Sequence, residues 1–124
     1  MSRSILMLVV VSTLAMALGA CSGVPTLPDA DPSIRGAITS LSPGKEGDVT
    51  ILVEAAGTPL FDYDKASVNV TVDSRVLRQR ADGSIEQVAQ SDLAIGQEVD
   101  VWFEGPVAES YPVQVYGATV LIRN

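Results

Sequence analysis

The sequence contains no histidine and a single cysteine, Cys21, among its 124 residues. The first absence removes a histidine general base, a Ser-His-Asp catalytic set and the usual Cys/His zinc sites. The second removes any disulfide within the chain. Basic residues are scarce as well, eight Lys and Arg against fifteen Asp and Glu, for a net charge of −7. Such a surface repels polyphosphate and anionic headgroups, because nucleic-acid affinity is built mainly from Lys and Arg contacts. Nucleic acid is therefore not an expected partner. No catalytic constellation stands out and no cofactor is implied, so the sequence reads as a non-enzymatic protein.

What is abundant sits at the start. Met1–Ser4 carries Arg3, and Ile5–Ala20 is an almost unbroken apolar run ending in small residues. At sixteen residues that run is shorter than the ~20 a helix needs to cross a bilayer, and no basic stop-transfer cluster follows. A basic start, an apolar middle and a small-residue end describe a signal peptide. Its last residues, Leu18-Gly19-Ala20-Cys21, resemble the bacterial lipobox. The thiolate of Cys21 is the nucleophile able to take a diacylglyceryl group. Each buried methylene adds ~0.8 kcal/mol, so two or three chains hold a protein durably where one does not. The expectation is a chain cut after Ala20, acylated on Cys21 (palmitate among the candidate acyl groups) and attached to the extracytoplasmic side of a membrane. Ser22, rather than Asp, follows the cysteine, which favours the outer membrane if the source is a diderm. Removal of residues 1–20 takes away Arg3 and no acid, which leaves the mature chain one unit more negative.

Residues 21–33 are expected as the acylated cysteine and an extended linker. Ser22–Ser33 holds three prolines, two aspartates and few large apolar residues, so it has little to bury. Its twelve residues span at most about 40 Å. From residue 34 to 124 the pattern is nearly all β. Ile34, Gly36 and Ile38 alternate with Arg35, Ala37 and Thr39, and Asp48–Ala55 supplies Ile51 and Val53. Ser67–Asp73 alternates with Val68, Val70 and Val72 inward. Arg75–Arg80 and Ser84–Val88 flank Asp82-Gly83, a hairpin turn. Glu98–Glu104 places Val99, Val101 and Phe103 inward against Asp100, Trp102 and Glu104. Pro112–Arg123 changes apolar parity between Val113/Val115 and Val120/Ile122, which predicts a bulge near Gly117. Ser91–Gly96 reads as one helical turn, with Leu93 and Ile95 closing one end of the sheet. Three strands, a short helical turn and two more strands give the order of a small five-stranded OB-like barrel. A compact sandwich or SH3-like barrel is the competing arrangement.

Ser91–Val99, Val101–Val107 and Glu109–Gln114 together resemble the C-terminal half of the YobA-like family of small exported bacterial proteins of unknown function. Ile34-Arg35-Gly36 and Ile51–Glu54 match its opening strands more loosely. The resemblance implies an OB-like barrel with a lipoprotein or secreted address. It carries no catalytic residues.

The candidate binding surface is Trp102, Glu109, Tyr111 and Tyr116. An outward Trp with two Tyr nearby would form a stacking or docking platform, unless Trp102 instead covers the second face of the barrel. Glu109 would face a ligand, or accept hydrogen bonds from turn amides. Asp62, Asp64 and Asp73 offer oxygen ligands suited to calcium but lack the spacing of a defined calcium loop, so no metal site is assigned. Arg75, Arg78 and Arg80 are expected to pair with Glu86 or neighbouring acids. Asp100 and Glu104 share a strand face without marking a cleft. The expected partners are the membrane, through the lipid anchor, and an envelope protein or small ligand. The alternative is a carboxylate- or divalent-cation-dependent enzyme, or a calcium-binding module.

Overall fold

The computed structural model describes residues 25–123. The leader and Cys21 lie outside these residues. Among the described residues seven strands follow one another: β1 (Ile34–Pro43), β2 (Val49–Glu54), β3 (Lys65–Val70), β4 (Arg75–Gln79), β5 (Ile85–Val88), β6 (Glu98–Ala108) and β7 (Val113–Ile122). Among the described residues, a single 3₁₀ turn, Gln90–Asp92, precedes β6.

Five of the strands close a barrel. β1 pairs antiparallel with β2 on one edge and with β6 on the other. β2 pairs with β3 and β6 with β7, both antiparallel, and β3 closes the circle by running parallel to β7. This is the OB-like arrangement expected from the element order. β1 serves two neighbours because it changes partner along its length, Ile34–Ala37 facing β6 and Ala37 onward facing β2. Gly36 sits at that crossing, where a Cβ would overlap the Glu54 carbonyl. β4 and β5 add a hairpin outside the five. β4 lies parallel to Thr119–Ile122, the second half of β7.

The bulge falls where the parity change predicts it. Trp102 pairs with Thr119 and Phe103 with Gly117, so Ala118 has no partner on β6. The Gly117 carbonyl accepts a hydrogen bond from the buried Ser74 hydroxyl at 2.6 Å. Inside the barrel the core is aliphatic and largely β-branched, including Ile34, Ile38, Ile51, Val53, Val68, Val99, Val101, Val120 and Ile122. β-Branched side chains suit a pleated surface with both neighbours filled.

Four expectations need correction. Val72 is exposed, because β3 ends at Val70 and residues 71–74 form a turn closed by Ser74 N–H on the Thr71 carbonyl at 3.0 Å. Strand parity has no meaning beyond that point. Ile95 is exposed and only Leu93 closes the barrel end, since the chain at Gly96 and Gln97 is held by main-chain hydrogen bonds to Ile38. The helical turn is shorter than expected, Gln90–Asp92 in place of Ser91–Gly96, with Ala89 rather than Ser91 at its N-cap, and the Asp92 carboxylate accepts from Ala89 N–H at 2.9 Å. The expected linker is docked along much of its length. Ser33 N–H donates to the Val101 carbonyl at 2.8 Å, and Ser33 Oγ accepts from Phe103 N–H at 3.1 Å. Further back, the Ala30 carbonyl accepts from Trp102 Nε1 at 2.9 Å and the Thr26 carbonyl from Arg75 Nη2 at 3.0 Å. Residues 26–33 thus form a strap held to β6 and, at its start, to Arg75 of β4.

Candidate binding face

The strap decides the fate of Trp102. Its side chain does point away from the barrel interior, as the alternation predicts. It is nevertheless only 8% exposed, packed with Leu77 and Leu121 beside Ile85 in a second apolar cluster. Trp102 covers the second face and contributes nothing to an open binding surface. Asp100 lies on the same outer face and is 3% exposed. Arg35 grips it through Nε at 2.6 Å and Nη2 at 2.9 Å, and Arg123 Nη1 approaches at 3.3 Å. The hydrogen bond to Asp100 is the main reason the Arg35 pKa is raised above its ordinary value. The Arg35 guanidinium also lies 5.3 Å from the centre of the Phe61 ring. This charge cluster was not apparent in the sequence. Arg35 and Asp100 are cross-strand partners only once the β1–β6 register is known. With Asp100 locked in this way, it forms no acid pair with the exposed Glu104.

The remaining candidates gather on another part of the barrel. Registry places Asn69 opposite Thr50 on β2 and opposite Tyr116 on β7, with Ser67 opposite Gln114. All five side chains point outward. Along the neighbouring edge, Glu104 pairs with Tyr116 and Ala108 with Gln114, so three residues of β6 stand against one of β7. The surplus bulges outward from Gly105, whose φ of +75° suits a residue without a side chain. Pro106, Val107 and Ala108 then wall a groove of about 420 Å³ whose floor includes Thr50, Ser67, Asn69, Gln114 and Tyr116. That volume lies within the range of small-ligand sites.

The polar groups of this groove are largely unused. Thr50 Oγ1 donates to Asn69 Oδ1 at 3.3 Å. Among the described residues, the side chains of Ser67, Gln114 and Tyr116 and the amide nitrogen of Asn69 have no protein partner. Tyr116 is 54% exposed, and beyond its ring lies a second concavity lined by Thr71, Asp73 and Glu104. Tyr111, 68% exposed, stands in the loop before β7. Its hydroxyl donates to Asp64 Oδ2 at 3.1 Å, and Lys65 Nζ lies 5.3 Å from its ring centre. Glu109 is exposed and lines a third concavity with Tyr63, Ser110 and Val113. It does not fix the loop. Ser110 does so, through its hydroxyl to the Pro112 carbonyl at 2.8 Å and its N–H to the Ala108 carbonyl at 2.9 Å.

Tyr111, Tyr116 and Glu109 therefore remain on or beside an open surface, and Trp102 leaves the set. The groove floor was missed because outward Ser, Thr, Asn and Gln on a strand look the same as any solvated face. Asp62 and Asp64 lie before β3 and Asp73 beyond its far end, about 20 Å of strand away, so the three acids do not converge. Among the described residues no group of three or more His, Cys, Asp or Glu side chains is placed to hold a metal ion. Arg80 pairs with Glu86 at 2.7 Å, as expected, whereas Arg75 serves the strap.

Compared with known proteins, the chain matches no family model, no curated protein and no solved structure.

Proposed function

We propose that the chain is an exported lipoprotein, acylated on Cys21, whose barrel acts as a non-enzymatic binding module on the outer side of a membrane. The observation that carries the binding half is the groove between the 105–108 bulge and the outward face of β2, β3 and β7. It presents polar side chains that the protein itself leaves without partners, beside an exposed tyrosine. Barrels of this connectivity use the face of their second and third strands, and the loop between the fourth and fifth, to hold ligands. Here those elements are β2, β3 and the segment joining β6 to β7; the groove is lined by β2 and β3 and by the end of β6 that leads into that segment. The apolar leader and the lipobox-like Leu18–Cys21 support the address.

Two measurements test the two halves separately. Intact mass of the protein from its native host should show residues 1–20 removed and acyl chains on Cys21. A full-length unacylated product would end the lipoprotein reading. For binding, acylated protein purified in detergent is immobilised beside a Gln114→Ala/Tyr116→Ala variant and exposed to solubilised envelope. A component held by the wild type and released by the variant is expected. Equal retention by both would place binding elsewhere.

A further inference from the structure

The groove is uncharged along its whole lining, although the protein around it is strongly acidic. That contrast restricts the ligand. An anionic ligand meets Asp73 and Glu104 at one end and finds no cation inside. A cationic ligand is drawn to the acidic rim but meets no carboxylate within the groove to neutralise it, and burying an unpaired charge is costly. What the floor offers is a set of neutral donors and acceptors. These are the amides of Asn69 and Gln114 and the hydroxyls of Ser67 and Tyr116, which a ligand must match with its own uncharged polar groups. The wall offers Pro106 and Ala108, with Val107, which also packs against the main core, completing an apolar strip, and the Tyr116 ring supplies an amphipathic edge.

Resting on the binding reading above, we infer that the groove takes an uncharged oligosaccharide. Ring hydroxyls pair with Asn69, Ser67 and Gln114, while the apolar C–H face of a sugar lies against Tyr116 and the Val107 strip. An N-acetylated sugar fits best, because its amide suits the two carboxamides and its methyl suits the apolar wall. The shallow, open form of the site matches a polymer segment laid along the barrel better than a small molecule enclosed in it. Recognition by neutral groups also makes binding insensitive to ionic strength.

The test is saturation-transfer NMR on the full acylated chain in a sugar-free detergent. The probes are the tetrasaccharide of β-1,4-linked N-acetylglucosamine, maltotetraose and tetralysine. Transfer to the N-acetylated tetrasaccharide is expected, stronger than to maltotetraose and unchanged between low and high salt. Tyr116→Ala should weaken it about three- to tenfold, and Asn69→Ala/Gln114→Ala should remove it. All three positions lie on the outer surface, and an unchanged melting temperature confirms that each variant is folded. Equal transfer to the variants would overturn the site. Transfer to tetralysine alone, fading with salt, would overturn the sugar in favour of a basic partner. No transfer to either sugar would also overturn it. The envelope-retention experiment would then show whether the groove binds something else or nothing.

Discussion

The outside of this barrel has two faces that meet on β7, and their chemistry is opposite. Thr119 and Leu121 belong to a face shared with Asp100 and Trp102 of β6 and Leu77 of β4, and all five are buried. Gln114 and Tyr116 belong to a face shared with Ser67 and Asn69 of β3, which is open. The bulge at Ala118 separates the two. Where the outward positions are apolar or charged in a cluster, the chain spends a strap, a hairpin and two arginines on covering them. Where they are neutral and polar, water or a ligand is left to do so. The same strand period thus yields an aromatic that stabilises the fold at 102 and one available for binding at 116.

The largest expected effect lies on the covered face. Trp102→Ala removes the centre of the second cluster and should cost about 3–5 kcal/mol in chemical denaturation. A loss below about 1 kcal/mol would mean that the face is not a packed layer. Trp102→Phe keeps most of the apolar area and gives up the hydrogen bond to Ala30, so about 0.5–1.5 kcal/mol is expected. Next comes Asp100→Ala, which leaves Arg35 and Arg123 without their shared carboxylate. Both guanidinium groups are partly open to water, 27% and 32% exposed, so the cost should fall near 2 kcal/mol rather than at the full value of a dry buried pair. Asp100→Ala costing no more than an ordinary surface change would remove the charge cluster from the stability of that face.

On the open face the expectation reverses. Tyr116→Ala should alter stability by no more than about 0.5 kcal/mol, in keeping with a surface position, while weakening ligand retention. A large stability loss at 116 would make the two faces alike and would withdraw the argument for a binding surface.

The barrel itself was legible because alternation, Asp82-Gly83 and the parity change near Gly117 are local signals. Each depends on a handful of neighbouring residues and on the two-residue strand period. The faces were not legible, because covering is a tertiary event. Nothing within residues 22–33 announces that Ala30 will meet an indole seventy-two positions later. Pro and Asp content argued for a free tether, and that composition is equally compatible with an extended strap that borrows its hydrogen bonds from β6. Tyr116 was found from its residue type alone. Ser67, Asn69 and Gln114 were missed because their meaning comes from what they lack, a protein partner, and only the assembled registry reveals that.

The smallest effect concerns the hairpin that extends the covered face. Asp82 Oδ1 accepts from the Ser84 hydroxyl at 2.6 Å and from Ser84 N–H at 2.9 Å, and these bonds hold its pKa below the ordinary value. A carboxyl whose folded value is depressed binds fewer protons in the folded than in the unfolded chain. Its contribution is therefore fully present above the ordinary aspartate range and is lost as pH falls through the lower folded value. Asp82 is fully exposed, so the loss should be local rather than global. Amide protection at Gly83 and Arg80, whose N–H groups close the turn on Arg80 and Ser84 carbonyls, should fall in that acid window. Asp82→Asn retains an acceptor and carries no proton to gain, so its hairpin should lose this pH dependence while β2 and β3 behave as in the wild type. The same acid transition in the Asn variant would assign it to another carboxylate.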